Sequence, residues 1–185
     1  MESHRNICAQ GSPTRGRGAH RVCALASVST VTAAAATSLD GTLRDGGHSM
    51  SVRVYFEDTD FSGIVYHASY LRFMERGRTN HLRLLGVQHR ALFKEAERET
   101  PGFAFVVRSM RIEFLKSARM DDVLDIVTLP REVKGASITL HQQVRRGDEL
   151  LVEAQVRVAC VSGGRARPIP RALRVAMLAG REHRP

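Results

Sequence analysis

The hydrophobic pattern of the chain becomes regular only after a long N-terminal part. Val52, Val54 and Phe56 alternate with polar neighbours, which is the period of a half-buried β-strand. We expect this strand to end near Glu57, because residues 58–63 combine Asp, Thr, Ser and Gly, a composition typical of loops. The pattern therefore places a strand directly before a polar loop.

A single long helix is predicted after that loop. From residue 67 to residue 85 apolar side chains recur at helical spacing, as expected for an amphipathic helix with one buried face. Gly77, in the middle, costs about 1 kcal/mol relative to alanine, which indicates a close approach of the helix to another element. Gly86 is expected to form the C-terminal cap, and a shorter charged helix is expected over residues 90–99.

Strands dominate the rest of the chain. Four segments are rich in β-branched and apolar residues and are separated by turn signals: 103–116, 123–131, 137–146 and 150–161. Short connections favour antiparallel neighbours. The order of one strand, one long helix and four strands predicts an α+β fold in which the helix packs on a face of an antiparallel sheet.

The first 49 residues differ from the rest. They are rich in small and polar residues, contain few acids and show no sustained apolar period. We interpret residues 1–49 as a disordered extension, a targeting segment or a mis-called start, and residues 50–185 as the folded domain. The overall composition, 43% hydrophobic and 25% charged, is that of a globular protein, and no run of 18 apolar residues predicts a membrane-spanning helix.

Positive charge is the strongest compositional bias. The chain has 28 Lys and Arg against 19 Asp and Glu, a formal charge of +9, which either favours anionic partners or reflects base composition alone. A nucleic-acid-binding module is disfavoured, because aromatic residues make up only 5%, tryptophan is absent and no recognition motif is present. Three widely spaced cysteines indicate neither a disulfide framework nor a zinc site, so we expect no metal and no cofactor.

Candidate chemistry is concentrated between the first strand and the long helix. The run 57–60 reads Glu-Asp-Thr-Asp, and Gly63 and His67 follow it. A helix start offers unpaired N–H groups that bind anionic oxygen, and glycine permits close approach of a ligand to the backbone. The same residues also suit a simple capping turn, and spacing alone leaves both interpretations open.

The segment 54–76, VYFEDTDFSGIVYHASYLRFMER, resembles the signature of YbgC-type acyl-CoA thioesterases. These belong to the 4-hydroxybenzoyl-CoA thioesterase class of hotdog-fold proteins. The resemblance continues more loosely through 110–114, 121–124 and 167–170, so it covers about residues 50–175. It implies a hotdog fold, in which a five-stranded antiparallel sheet wraps around one long helix, and hydrolysis of acyl-CoA to free acid and CoA.

The resemblance also implies roles for individual residues. Asp60 matches the catalytic carboxylate, which either attacks the thioester carbonyl or acts as general base on a water molecule. The backbone N–H near His67 would polarise the carbonyl oxygen, and His67 matches a histidine that orients water or the carbonyl. Gly63 and Tyr66 are expected to contact the substrate.

Partners follow from the same resemblance. Arg165 and Arg167 are candidates for binding the phosphates of CoA, because arginine forms bidentate bonds with phosphate. Acyl carrier protein is an alternative acyl donor. The family implies a homodimer or homotetramer with active sites at the subunit interface, a cytoplasmic location, and association with the Tol-Pal system and the inner membrane by analogy. The competing hypothesis is a hotdog protein that binds acyl-CoA or acyl carrier protein without turnover.

Overall fold

A computed structural model describes residues 39–44, 46–88 and 90–179. The interpretations of residues 1–38 lie outside these residues. Within the described ranges, no helix is both long enough and apolar enough to cross a membrane.

Seven strands and three helices make up the described chain. The strands are β1 (Thr42–Arg44), β2 (Gly47–Arg53), β3 (Ala104–Phe114), β4 (Val123–Lys134), β5 (Ser137–Arg146), β6 (Glu149–Ser162) and β7 (Arg165–Ala166). The helices are α1 (His67–Gln88), α2 (Arg90–Glu99) and α3 (Arg171–Ala179), and a 3-10 turn covers Phe56–Asp58.

The strands form one antiparallel sheet in the order β1-β2-β4-β5-β6-β3, with β7 paired to β6. Helix α1 packs against β2, β4 and β5, so the predicted α+β hotdog arrangement is confirmed. The count of five strands is wrong because β1 and β7 are also present. These strands have three and two residues, too few to show the two-residue alternation that identifies a strand.

The first predicted strand lies earlier in the chain than expected. It ends at Arg53 rather than near Glu57, because the N–H of Val54 donates to the carbonyl of Asp122 (2.9 Å) and the chain then enters the 3-10 turn. The expected boundary at residues 49 and 50 falls inside β2, whose His48–Met50 part pairs with β4. The folded region therefore begins before residue 50.

The helices are close to prediction, with two differences. The charged helix over residues 90–99 is confirmed as α2. Helix α1 continues to Gln88, so Gly86 lies inside it and is not the C-terminal cap; tertiary packing of an amphipathic helix outweighs the local preference of one glycine. Helix α3 was missed, although apolar residues at Leu173 and Met177 have helical spacing and are buried.

Gly77 brings α1 close to the sheet, as its sequence position predicted. A Cβ atom at this glycine would lie 2.9 Å from Ile126 Cγ2 and 3.1 Å from Thr128 Oγ1. The buried side chain of Gln142 fastens the same contact, since its Nε2 donates to the Met74 carbonyl (2.9 Å) and to Thr128 Oγ1 (2.8 Å). Helix α1 therefore rests on β4 and β5 through a hydrogen-bonded polar layer.

Two histidines stack in the interior between β2 and α1. The rings of His48 and His81 are 6.0 Å apart and nearly parallel, and both residues are buried. His48 Nε2 bonds the Asp40 carbonyl (2.6 Å), and Asp40 forms an ion pair with Arg83. Burial, together with the neighbouring His48, lowers the pKa of His81 to about 4, and burial also lowers the pKa of His48.

This pair predicts a loss of stability in acid. The unfolded chain binds a proton at histidine near pH ~6.5, whereas folded His81 binds one only near pH 4, so stability is fully present above ~6.5 and falls as the pH drops towards 4. Between about pH 7.5 and about pH 5 we expect His81 to remove about 2 kcal/mol from the free energy of unfolding. Urea unfolding at both pH values measures this loss of free energy of unfolding. An equal loss between the two pH values in His81→Gln would show that His81 is not responsible.

Candidate active site

The polar loop before α1 is a tight, hydrogen-bonded turn. The buried carboxylate of Asp58 accepts from the Tyr55 N–H (3.0 Å), and the Asp58 carbonyl accepts from the Tyr66 N–H (2.9 Å). Asp60 donates its N–H to the Ile64 carbonyl and accepts from the Gly63 N–H, both at 2.9 Å. Gly63 has φ +72°, in the left-handed region that glycine enters without strain. The loop thus holds the backbone of Asp60 in one place.

The side chain of Asp60 faces an open cleft of about 380 Å³. Its Oδ1 accepts from the Ser62 N–H (2.8 Å), while Oδ2 has no hydrogen-bond partner among the described residues. The cleft is lined by Asp60, Ile64, Val65, His67, Tyr70, Phe114, Leu115, Lys116 and Ser117. One oxygen of an exposed carboxylate is therefore oriented and the other is available to a ligand.

The start of α1 contributes the second chemical element of the cleft. The first N–H groups of a helix have no acceptor within the helix and carry a partial positive charge. Ser69 donates its N–H to the Tyr66 carbonyl (2.8 Å), whereas the N–H groups of His67 and Ala68 have no acceptor in the part of the chain that the structure describes. They remain available to an oxygen that develops negative charge.

An aromatic group forms the wall behind His67. The His67 ring lies 4.3 Å from the Tyr66 ring and 6.3 Å, edge to face, from Phe114, and Tyr70 lies 5.9 Å from Phe114. The Tyr70 hydroxyl accepts from the buried Ala118 N–H (2.9 Å). Burial raises the pKa of Tyr70, so this phenol stays protonated.

A network of ion pairs supports the side of the cleft that Lys116 and Ser117 form. Lys116 pairs with Glu149 (2.6 Å), and Arg146 bridges Glu149 (2.6 Å) and Asp122 (2.7 Å). Burial would raise the pKa of Asp122, but hydrogen bonds from the Arg119 N–H and the Arg146 guanidinium outweigh it and hold that pKa below its usual range. The network fixes the chain on either side of the Lys116–Ser117 wall.

The structure brings some of the expected site residues together. Asp60 and His67 line the same cleft. Gly63 and Tyr66 belong to the loop beside it but are not among the residues that line it; Tyr66 is half-exposed, and its ring contacts the His67 ring at a tilt of 57°.

Arg165 and Arg167 lie elsewhere in the subunit. The Arg167 N–H donates to the Cys160 carbonyl, and Cys160 pairs with the beginning of β3, whereas Phe114 at its end pairs with Val152. Eight strand residues separate the two positions on β6, about 27 Å. Within one chain these arginines are therefore remote from Asp60, which sequence reasoning could not detect because the separation depends on strand register.

From the sequence alone, Tyr70 is predicted only to lie on a helix and Phe114 only to lie in a strand. The signal that could have indicated a role for Tyr70 is its hydroxyl on an apolar helix face, since a buried tyrosine O–H needs a hydrogen-bond partner. Among the described residues, no group of three or more His, Cys, Asp or Glu is arranged to hold a metal ion. Carboxylate, helix-start N–H groups and imidazole around one cleft are suited to attack on a carbonyl carbon with charge stabilisation at its oxygen.

Comparison with known proteins gives one consistent result. A family model described as the thioesterase-like superfamily matches residues 54–177. The chain is 44% identical over 125 residues to the acyl-CoA thioesterase YbgC of Haemophilus influenzae, covering 68% of this chain and 88% of the relative. It is also 44% identical over 118 residues to the acyl-CoA thioester hydrolase YbgC of Escherichia coli, covering 63% and 84%.

A solved structure agrees with these relatives. The crystal structure of a probable thioesterase from Bartonella henselae superposes with a TM-score of 0.55 at 38% identity. The match covers 67% of this chain and 98% of that one.

Proposed function

Because the chain belongs to the thioesterase-like superfamily, with the YbgC acyl-CoA thioesterases among its relatives, we propose that it hydrolyses acyl-CoA with Asp60 as the reacting carboxylate. The products are a free carboxylic acid and CoA. The observation that carries the proposal is the position of Asp60, whose unpartnered oxygen shares one cleft with the start of α1. Among the described residues that line the cleft, Asp60 is the only acidic one.

The geometry supports a definite orientation of the thioester. Its carbonyl oxygen would accept from the N–H groups of His67 and Ala68, and one such donor is worth roughly 100-fold to 1,000-fold in rate. Asp60 then either attacks the carbonyl carbon, giving a mixed anhydride that water hydrolyses, or removes a proton from an attacking water. In both routes the carbon–sulfur bond breaks and the sulfur leaves as the thiol of CoA.

His67 is proposed to assist Asp60 and not to replace it. Its backbone N–H would supply one oxyanion donor, and its exposed ring lies 4.3 Å from the Tyr66 ring and 6.3 Å from the Phe114 ring. These two aromatic contacts favour one orientation of the ring, in which a ring nitrogen would hold a water molecule or the carbonyl. We assign His67 to this positioning task.

The functional unit is proposed to be a homodimer formed through β3. Among the described strands, β3 is at the edge of the sheet and pairs with β6 alone. Four large apolar residues on or beside it are close to half-exposed: Val106, Val107, Phe114 and Leu115. A long exposed strand edge with apolar side chains is a template for pairing with another chain. Antiparallel pairing of two β3 strands would bury this surface and complete the open cleft.

The same arrangement accounts for the remote arginines. In a two-fold pair of antiparallel strands, the beginning of one β3 lies beside the end of the other. The region of Arg165 and Arg167 in one subunit, which adjoins the beginning of β3, would then approach the Phe114 end of the other. Their guanidinium groups suit the phosphates of CoA, so a substrate would extend across the subunit interface.

Other parts of the functional assignment rest on chemistry or on resemblance. An acyl carrier protein is a second possible source of the thioester, because its acidic surface would be attracted to a chain of net charge +9. We propose a cytoplasmic location because CoA substrates are found there. Tetramer formation and association with the Tol-Pal system and the inner membrane stay predictions from the resemblance.

Thiol release from acyl-CoA tests the proposal. The full chain should release thiol from at least one member of a panel of short-chain, long-chain and aromatic acyl-CoA substrates, and the panel should rank the acyl groups. Binding of acyl-CoA without thiol release would instead support a non-catalytic hotdog protein. Thiol release from acylated acyl carrier protein but not from acyl-CoA would change the proposed substrate class and leave the proposed chemistry unchanged.

A further inference from the structure

A second cavity, separate from the Asp60 cleft, lies between the middle of α1, the sheet and α3. Its volume is about 150 Å³, the size of cavity that accepts a benzene-sized ligand. Its walls are mainly apolar on the sheet and on α3, and polar on α1. The described lining residues are Glu75, Arg78, Thr79, His81, Leu82, Phe105, Val107, Pro130, Ile138, Leu140, Val158 and Met177.

Arg78 gives this apolar space an unusual chemistry. Its guanidinium is partly buried and donates from Nη1 to Gln142 Oε1 (2.7 Å). That acceptor is a neutral amide, and no carboxylate lies within ion-pair distance of Arg78 among the described residues. Burial lowers the pKa of Arg78, and the charge of Glu75 partly opposes this effect, but arginine stays protonated in proteins. A partly desolvated cation with no direct ion pair among the described residues is costly, and an anion in the cavity would offset this cost.

None of the other described polar groups that line the cavity forms an ion pair with Arg78. The Glu75 carboxylate is exposed and accepts from the Thr79 hydroxyl (2.6 Å), which keeps it at the outer rim. His81 has a pKa of about 4 and is neutral near pH 7. Among the described lining residues, Arg78 is therefore the cation that faces the apolar walls.

We propose that this cavity binds a carboxylate carried on a small apolar body, such as one aromatic ring or a chain of about six carbons, with Arg78 as the anion-binding residue. The guanidinium fork matches a carboxylate in two parallel hydrogen bonds, and Phe105, Ile138 and Val158 surround the apolar part. Arg78 lies eight residues after Tyr70 on α1, about 12 Å along the helix. The site is thus distinct from the cleft that holds Asp60.

Such a carboxylate could come from two sources. One is a free carboxylic acid, the class of product that thioester hydrolysis releases. The other is an acyl group with a carboxylate at its far end, which would reach from the Asp60 cleft into the cavity. The second source rests on the proposed function, whereas binding of a free acid does not.

Direct titration tests the site without any need for activity. Benzoate and hexanoate should bind the full chain, detected by calorimetry or by NMR shifts, and benzamide and hexanol should bind at least tenfold more weakly because they lack the charge. Glu75→Gln should tighten benzoate binding, since it removes a like charge from the rim. Equal affinity for benzoate and benzamide in the unmodified chain would overturn the proposal, even if no variant folded.

Variants at arginine locate the bound anion. Arg78→Gln keeps a hydrogen-bonding group beside Gln142 and should weaken benzoate binding at least tenfold, while Arg78→Lys should retain part of it. Arg76→Gln is the matched control, because Arg76 is exposed on the same helix and should bind benzoate normally. Unchanged binding in folded Arg78→Gln would place the acid elsewhere and refute the assignment.

A kinetic comparison separates the two sources. If the site serves a substrate, the ratio of kcat/KM for adipoyl-CoA over hexanoyl-CoA should fall about tenfold in Arg78→Gln. If it serves a free acid, this ratio should stay constant while benzoate binding is lost. Asp60→Asn should bind benzoate normally in either case, so failure of the hydrolase assignment and failure of this site would be seen separately.

Discussion

Replacement of Asp60 by asparagine is expected to lower kcat for acyl-CoA hydrolysis by about 100-fold to 10,000-fold. Asparagine is nearly the same size, and its Oδ1 can still accept from the Ser62 N–H that orients the native carboxylate. The loop should therefore keep its conformation. The amide nitrogen can neither attack a thioester as a carboxylate oxygen does nor remove a proton from water, so the loss should fall on kcat and not on KM.

A matched variant separates chemistry from general damage to the loop. Glu57→Gln changes charge in the same way at an exposed residue three positions earlier and should leave kcat within about twofold. Thiol release at saturating acyl-CoA, together with urea unfolding of both variants, provides the measurement. Asp60→Asn with native stability and a kcat within about threefold of the parent would exclude Asp60 as the reacting carboxylate.

Charge placed on the free edge of β3 is expected to dissociate the homodimer and to abolish most activity. In the double variant Val106→Lys, Val107→Lys, each subunit loses two half-exposed valines from the proposed interface. Four such losses per dimer at about 1 kcal/mol each raise the dissociation constant by about 1,000-fold. Because we propose that the cleft is completed across the interface, thiol release should fall with the dimer population.

Sedimentation at several protein concentrations, run beside thiol release, measures both effects. Val175→Lys is the matched control, since Val175 is exposed to a similar extent on α3 and away from the strand edge; it should leave mass and activity unchanged. A double variant that remains dimeric would place the subunit interface elsewhere. A monomer with full activity would show that the cleft of a single chain is sufficient.

The cleft is open in a single chain because one of its sides is the free edge of β3. Asp60 and the start of α1 are held by local hydrogen bonds, but the opposite side is formed by Phe114 and Leu115 at an unpaired strand edge. An edge that exposes apolar side chains gains free energy when a second chain covers it. Catalytic machinery and assembly are thus expected to depend on the same strand.

The site beside Arg78 has a different origin. The Asp60 cleft is built by neighbours in sequence, whereas Arg78 meets Gln142 across 64 residues and faces walls from β3, β5, β6 and α3. Nothing in the sequence distinguishes Arg78 from the many other arginines of the chain. Its partial burial and its hydrogen bond to a neutral amide instead of a carboxylate become visible only when the sheet is folded around α1.

Features that depend on near neighbours in the chain are predictable from the amino-acid sequence alone. Apolar periodicity located α1, α2 and the four long strands, and the glycine at position 77 correctly indicated a close helix–sheet contact. Spacing placed Asp60 and His67 in one polar loop before a helix, and the resemblance of segment 54–76 to the thioesterase signature assigned both residues to one site. Local periodicity and capping are short-range properties, so they are readable from sequence.

Features that depend on pairing between distant parts of the chain become visible only in the folded protein. The register between β3 and β6 places Arg165 and Arg167 far from Asp60 within one chain. The pairing of β2 with β4 places the first predicted strand nearer the N-terminus than the sequence pattern predicts. The same long-range packing joined Tyr70 to Phe114 and enclosed Arg78 in an apolar cavity. Such contacts depend on which faces of the sheet and helices are buried and on strand register. A local sequence pattern specifies neither.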